Sequence, residues 1–130
     1  SDRRNKTQIS GSDLGLSFIN DIQSRKFKFV SGSRYHYGLV AQEVSESLGK
    51  SSIHTDDFAG YISSSDAKPD LESDKKNLNT LGLRYTEFIS PMIKAMQELT
   101  SEVKFLRAAI TGSTDLNQLK ATVSGSTFPS

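Results

Sequence analysis

No cysteine occurs in the 130 residues of this chain, and that absence removes disulfides, thiolate zinc sites and cysteine nucleophiles together. It fits maturation in a reducing cytoplasm. Histidine is nearly as scarce, with only His36 and His54 present, and no glycine-rich phosphate loop accompanies them, so metal and nucleotide enzymes find almost no support. No cofactor and no metal are expected. An excess of one charge is also missing: 16 Lys and Arg against 15 Asp and Glu leave +1, with no general pull toward nucleic acid or an anionic membrane. Neither is expected as a partner. No apolar run approaches the roughly 20 residues a membrane helix needs, and no signal-peptide pattern is present, so the chain reads as soluble.

What is there fits one domain over residues 1–130, of α+β class. In the front part, residues 1–49, the segment from Arg25 to Val40 reads strand, turn, strand. Phe27 and Phe29 alternate with Lys26 and Lys28, Ser31-Gly32-Ser33 supplies the turn, and Tyr35 and Tyr37 resume the alternation. Before this hairpin Ser12 or Asp13 is expected to cap a short helix with Leu14, Phe18, Ile19 and Ile22 on one face. After it Val40, Val44 and Leu48 recur every fourth residue until Gly49 ends the run. Residues 50–80 are rich in Ser and Asp, with Lys68, Lys75 and Lys76 opposing Asp56, Asp57, Asp66, Asp70, Glu72 and Asp74. A stretch this polar is hard to bury, and it predicts a protruding arm, the alternative being a mobile surface loop.

The clearest periodicity follows in residues 81–111, read as a long helix starting near Ser90 and stopped by Gly112. Ile89, Met92, Met96, Leu99, Val103, Leu106 and Ile110 alternate spacings of three and four, an a/d heptad pattern. Pro91 is tolerated because it falls in the first turn. At ~1.5 Å per residue the helix extends roughly 30 Å, more than a hairpin and two short helices can cover, so part of the seam is expected to meet other copies. The seam's identities do not give three strands, since β-branched a with Leu d favours two. Residues 112–130 add a short helix around Leu116, Leu119 and Val123, then a Ser- and Thr-rich tail.

The chemistry sits in the opening Ser1-Asp2-Arg3-Arg4-Asn5-Lys6. A serine hydroxyl becomes a nucleophile when a neighbouring amine removes its proton, and lysine serves once burial or nearby positive charge favours its neutral form. Arg3 and Arg4 lie between the two. A serine that attacks the carbonyl of the residue before it becomes, after hydrolysis of the ester, a new N-terminus.

That opening resembles the Ser-Asp-x-Arg-x-Lys start of the peptidase S74 family, the C-terminal intramolecular chaperone of phage endosialidases, tail fibres and neck appendages. Gly38-Leu39-Val40-Ala41-Gln42-Glu43-Val44 is similar to the family's Gly-x-x-Ala-Gln-Glu-Val segment. Tyr85-Thr86-Glu87-Phe88 with Ala95-Met96-Gln97-Glu98-Leu99 resembles its closing Tyr-x-x-Leu and Ala-x-x-Glu-Leu helix, Phe88 standing where the family commonly carries Leu.

The resemblance implies the last domain of a fibre or spike precursor, which trimerises through a helical bundle and assists β-helical folding of the segment before it. It then cleaves itself off before Ser1 in a single turnover. By that analogy Ser1 is the nucleophile, Lys6 its general base and Asp2 the residue that orients one or both, while His36, Gln42 and Glu43 are the polar residues expected to assist. Gln42 and Glu43 have an alternative structural reading, as ties between hairpin and helix. The partners implied are two further copies and the preceding fibre segment, in the host-cell cytoplasm during virion assembly, with release from the mature fibre. The rival readings are a non-cleaving trimerisation cap and a receptor-binding fibre tip.

Overall fold

A computed structural model describes residues 1–63, 80–113 and 115–125. Four α-helices and two small antiparallel hairpins make up the described residues: α1 Leu16–Asp21, β1 Arg25–Phe27, β2 His36–Gly38, α2 Ala41–Lys50, β3 Tyr61–Ser63, β4 Leu81–Leu83, α3 Ile89–Gly112 and α4 Leu116–Ser124. The α+β class expected from the pattern is the one observed.

The core forms where amphipathic segments turn their apolar faces inward. Leu14 and Phe18 from the α1 region, Val44 and Leu48 from α2, Phe58, and Phe88 from the turn before α3 make one buried cluster, with Ile19 and Ile22 packed against it. Three phenyl rings from distant parts of the chain meet there. Phe18 stacks on Phe88 with centroids 6.2 Å apart, and Phe58 meets Phe88 edge-on at 5.4 Å. Such pairs add to the area they bury. At the edge of this core Asp21 accepts from the buried Ser47 hydroxyl at 2.6 Å and from Lys50 at 2.9 Å, tying α1 to α2.

Several boundaries differ from the sequence reading, each for a local reason. Ser12 does not cap α1: its hydroxyl accepts from Leu14 N–H and donates to Leu14 C=O. The N-cap is Gly15, which has no side chain to offer, and Glu98 of α3 accepts from Leu16 N–H instead at 3.4 Å. The first hairpin pairs only Arg25 with Gly38, Lys26 with Tyr37 and Phe27 with His36, and a turn centred on Val30 and Ser31 is closed by Gly32 N–H to Phe29 C=O at 2.9 Å. Helix α2 runs past Gly49 to Lys50. It ends because Ser52 adopts a left-handed φ of 58°, while Ile53 N–H reaches Leu48 C=O and Ser52 N–H reaches Gly49 C=O, both at 3.0 Å. That is a Schellman closure with serine where glycine is usual.

Part of the stretch expected to protrude over 50–80 belongs to the folded unit. Phe58 is buried, Ile53 and Tyr61 pack on the core, and Tyr61–Ser63 pairs with Leu81–Leu83, a hairpin the scattered apolar residues did not reveal. Residues 64–79 of the arm lie outside the described residues, as does the tail over 126–130.

Helix α3 starts at Ile89, with Pro91 in its first turn as expected. It buries Pro91, Ala95 and Ala109. The heptad residues Ile89, Met92, Met96, Leu99, Val103 and Ile110 are 47–69% exposed.

Candidate active site

The opening hexapeptide is a single closed turn. Asp2, in extended conformation, caps a one-turn helix over Arg3–Asn5 by accepting from Arg4 N–H at 2.8 Å. Asn5 N–H bonds Asp2 C=O at 3.2 Å and Lys6 N–H bonds Arg3 C=O at 3.1 Å. This reversal brings the ends of the hexapeptide together: Lys6 Nζ donates to Ser1 Oγ at 3.0 Å. Hydroxyl and amine are thus within proton-transfer reach. The whole turn is exposed.

Asp2 does not bond Ser1 or Lys6. Its carboxylate takes the Arg4 guanidinium, Oδ2 to Nη2 at 2.7 Å. The Arg4 side chain holds the Asp2 carboxyl below the usual carboxylate range.

The three assisting residues stand elsewhere. Glu43, in the first turn of α2, forms a fork with Arg25 of β1, Oε1 to Nη2 at 2.5 Å and Oε1 and Oε2 to Nε at 3.1 Å. This pair holds the Glu43 carboxyl below its ordinary range. Helix and hairpin are thereby tied, the structural alternative raised for this residue. Gln42 beside it is exposed, and its side chain makes no hydrogen bond among the described residues. The exposed His36 ring lies against Phe27 and Phe29, with centroids 5.9 and 4.6 Å away. No hydrogen bond or ion pair joins His36, Gln42 or Glu43 to Ser1 or Lys6.

Sequence reasoning missed the partners that organise these motifs. Tyr85 Oη accepts from Leu39 N–H at 3.1 Å, and a Cβ at Gly38 would lie 2.5 Å from that hydroxyl. The glycine therefore belongs to the Tyr85 contact. No spacing rule links residues so far apart in sequence.

Residues 1–51 match Peptidase_S74, chaperone of endosialidase. The match is to the family that the motifs resemble, and it spans the Ser1 to Lys6 turn, α1, the first hairpin and α2. The family is one of chaperones, in line with the role the motifs imply. The Tyr85 and Glu98 motifs lie beyond the matched residues but pack onto them, at Leu39 and Leu16. No curated protein and no solved structure matches the chain. Among the described residues no helix is long and apolar enough to cross a membrane, and no group of three or more His, Asp or Glu is placed to hold a metal ion.

Proposed function

We propose that this chain is a C-terminal intramolecular chaperone of a phage fibre or spike that assembles as a homotrimer and releases itself through Ser1 and Lys6. The observation carrying this is the 3.0 Å contact of Lys6 Nζ with Ser1 Oγ, inside the segment matched to the family. In the precursor Ser1 Oγ attacks the carbonyl carbon of the preceding residue. The neutral Lys6 amine takes the hydroxyl proton and returns it to the departing amine, which is the Ser1 nitrogen. The peptide C–N bond breaks and an ester to Oγ forms. Water then hydrolyses that ester, leaving a carboxylate on the fibre and a free hydroxyl and amine on Ser1.

Lysine works as a base only when neutral, and the turn is exposed in one chain. Burial against the fibre or a neighbouring copy favours the neutral form. Cleavage then follows assembly and acts as a folding checkpoint. The heptad face of α3 supports self-association: Met96, Leu99 and Val103 are exposed at coiled-coil spacing, while the helix buries Pro91, Ala95 and Ala109. Three intertwined β-helical chains have high contact order, so a pre-formed seam fixes register before slow non-local pairing begins. Cutting afterwards separates chaperone from client and makes unfolding hard to reverse.

The deciding experiment uses a longer precursor. Splitting before Ser1 in the parent and an intact Ser1→Ala product support release, splitting in both removes the serine and lysine mechanism, and an intact parent leaves the non-cleaving trimerisation cap.

A further inference from the structure

We propose that Arg4 is a positioning residue of the release site, holding the turn in which Ser1 Oγ meets Lys6 Nζ by chelating Asp2. This rests on the serine and lysine reading above. Both Asp2 oxygens are occupied: Oδ1 accepts Arg4 N–H at 2.8 Å and Arg4 Nε at 3.2 Å, and Oδ2 accepts Nε at 3.1 Å and Nη2 at 2.7 Å. One residue thus supplies the backbone donor that Asp2 caps and the side chain that fixes the capping carboxylate.

Among the described residues the rest of the turn is held by local bonds alone. Residues 1–10 are all exposed, so no buried side chain offsets the backbone entropy of ordering them. The local bonds from Asp2, Asn5 and Lys6 carry that cost. Arg4 spends its charge on Asp2, so its effect is geometric rather than the long-range field of a free cation. Each group favours the ionised form of the other, Asp2 being held low and Arg4 high. The clasp therefore stays formed across the neutral and alkaline range in which a lysine base operates. As a surface pair, with side chains 88% and 42% exposed, it adds little to global stability. Its consequence is read in rate, because a small misplacement of reacting groups slows a step far more than it destabilises a fold.

The test follows first-order splitting of the precursor against pH for the parent, Ser1→Ala, Arg4→Ala, Arg4→Lys and Asp2→Asn, with sedimentation as the assembly control. Arg4→Ala is expected to slow splitting about tenfold. Arg4→Lys is also slowed, because an ammonium keeps the charge but lacks the planar fork, and its pH midpoint stays at the parental position. Asp2→Asn is slowed less, since its amide oxygen still caps the turn. All three sediment as the parent does. Parental rates in Arg4→Ala or Arg4→Lys overturn the proposal. So does full rescue by lysine together with an upward midpoint shift in Arg4→Ala, which assigns Arg4 a charge role. Slowing accompanied by altered sedimentation in every variant also overturns it, in favour of a folding role. If Ser1→Ala still splits, the serine and lysine reading falls as well. If Ser1→Ala stays intact while the Arg4 variants behave as the parent, only the Arg4 assignment falls.

Discussion

Helix α3 and the core beneath it treat large apolar side chains in opposite ways. In the core, Phe18, Phe58 and Phe88 are 2–9% exposed and pack ring against ring. Along α3 the buried positions are Pro91, Ala95 and Ala109, while Met96 is 69% and Ile110 62% exposed. A helix that serves only its own domain buries its bulkiest residues. This one buries Pro91, Ala95 and Ala109 and leaves most of its heptad face exposed, so the phenylalanines hold the single chain together without that face.

The largest expected effect breaks the first half of that contrast. Phe18→Ala removes the ring that touches both other phenylalanines, and a loss of about 3–5 kcal/mol is expected from urea unfolding of the isolated domain. A loss below about 1 kcal/mol would show that the aromatic cluster is not the core. Next in size is the seam. Leu99→Asp with Val103→Asp is expected to abolish self-association, each large interface side chain contributing about 2 kcal/mol. The same pair leaves unfolding of the single chain within about 1 kcal/mol. Sedimentation equilibrium beside denaturation separates the two readouts, and unchanged assembly would sink the seam.

The contrast also explains what was legible in the sequence. Periodicity identified α2 and α3, because Val44 with Leu48 follows a local spacing rule. It also found Leu14 and Phe18 for the core, although Leu14 precedes α1 and the buried Leu16 was missed. Six of the seven heptad residues are exposed in the single chain, Leu106 being half-buried, while Ile93 off the pattern is exposed too. What stayed hidden depends on distant partners. Phe58 looked stranded in a polar arm because nothing nearby in sequence announces Phe88 and Phe18 as its neighbours. Glu98 accepts from the N-terminus of α1, a contact that no local spacing announces. At the candidate site the Ser1 and Lys6 pairing was legible because one turn closes it. The Arg4 hold on Asp2 was not, since a charge run does not say which charges meet.

A smaller effect concerns the carboxylates that tie the hairpin and the first two helices together. Ser47 and then Lys50 hold Asp21 low, and Arg25 holds Glu43 low. A carboxylate held low stabilises the fold at pH above its unfolded value, and that contribution disappears as pH falls through the folded one. Thermal stability is therefore expected to be level near neutrality and to decline from about pH 4 downward, with the decline shallower in Asp21→Asn and in Glu43→Gln. Added salt weakens both ties because they are exposed. An acid limb unchanged in both variants would place the acid sensitivity elsewhere.

The smallest expected effect tests how α2 hands the chain to the core. Ser52 sits at φ 58°, where a Cβ is crowded and glycine is free of strain. Ser52→Gly relieves that strain but gives the unfolded chain more freedom, so the net gain is about 0.5 kcal/mol. Ser52→Val is expected to cost about 1–2 kcal/mol, because a β-branched residue tolerates the left-handed region least. The bonds from Ser52 N–H to Gly49 and from Ile53 N–H to Leu48 depend on that turn, and they deliver Ile53 and Phe58 to the core. Amide exchange at Ile53 should accelerate in the valine variant and slow in the glycine variant, while exchange along α3 stays unchanged if core and seam are separate in the single chain. Acceleration along α3 as well would show that core and seam unfold as one unit.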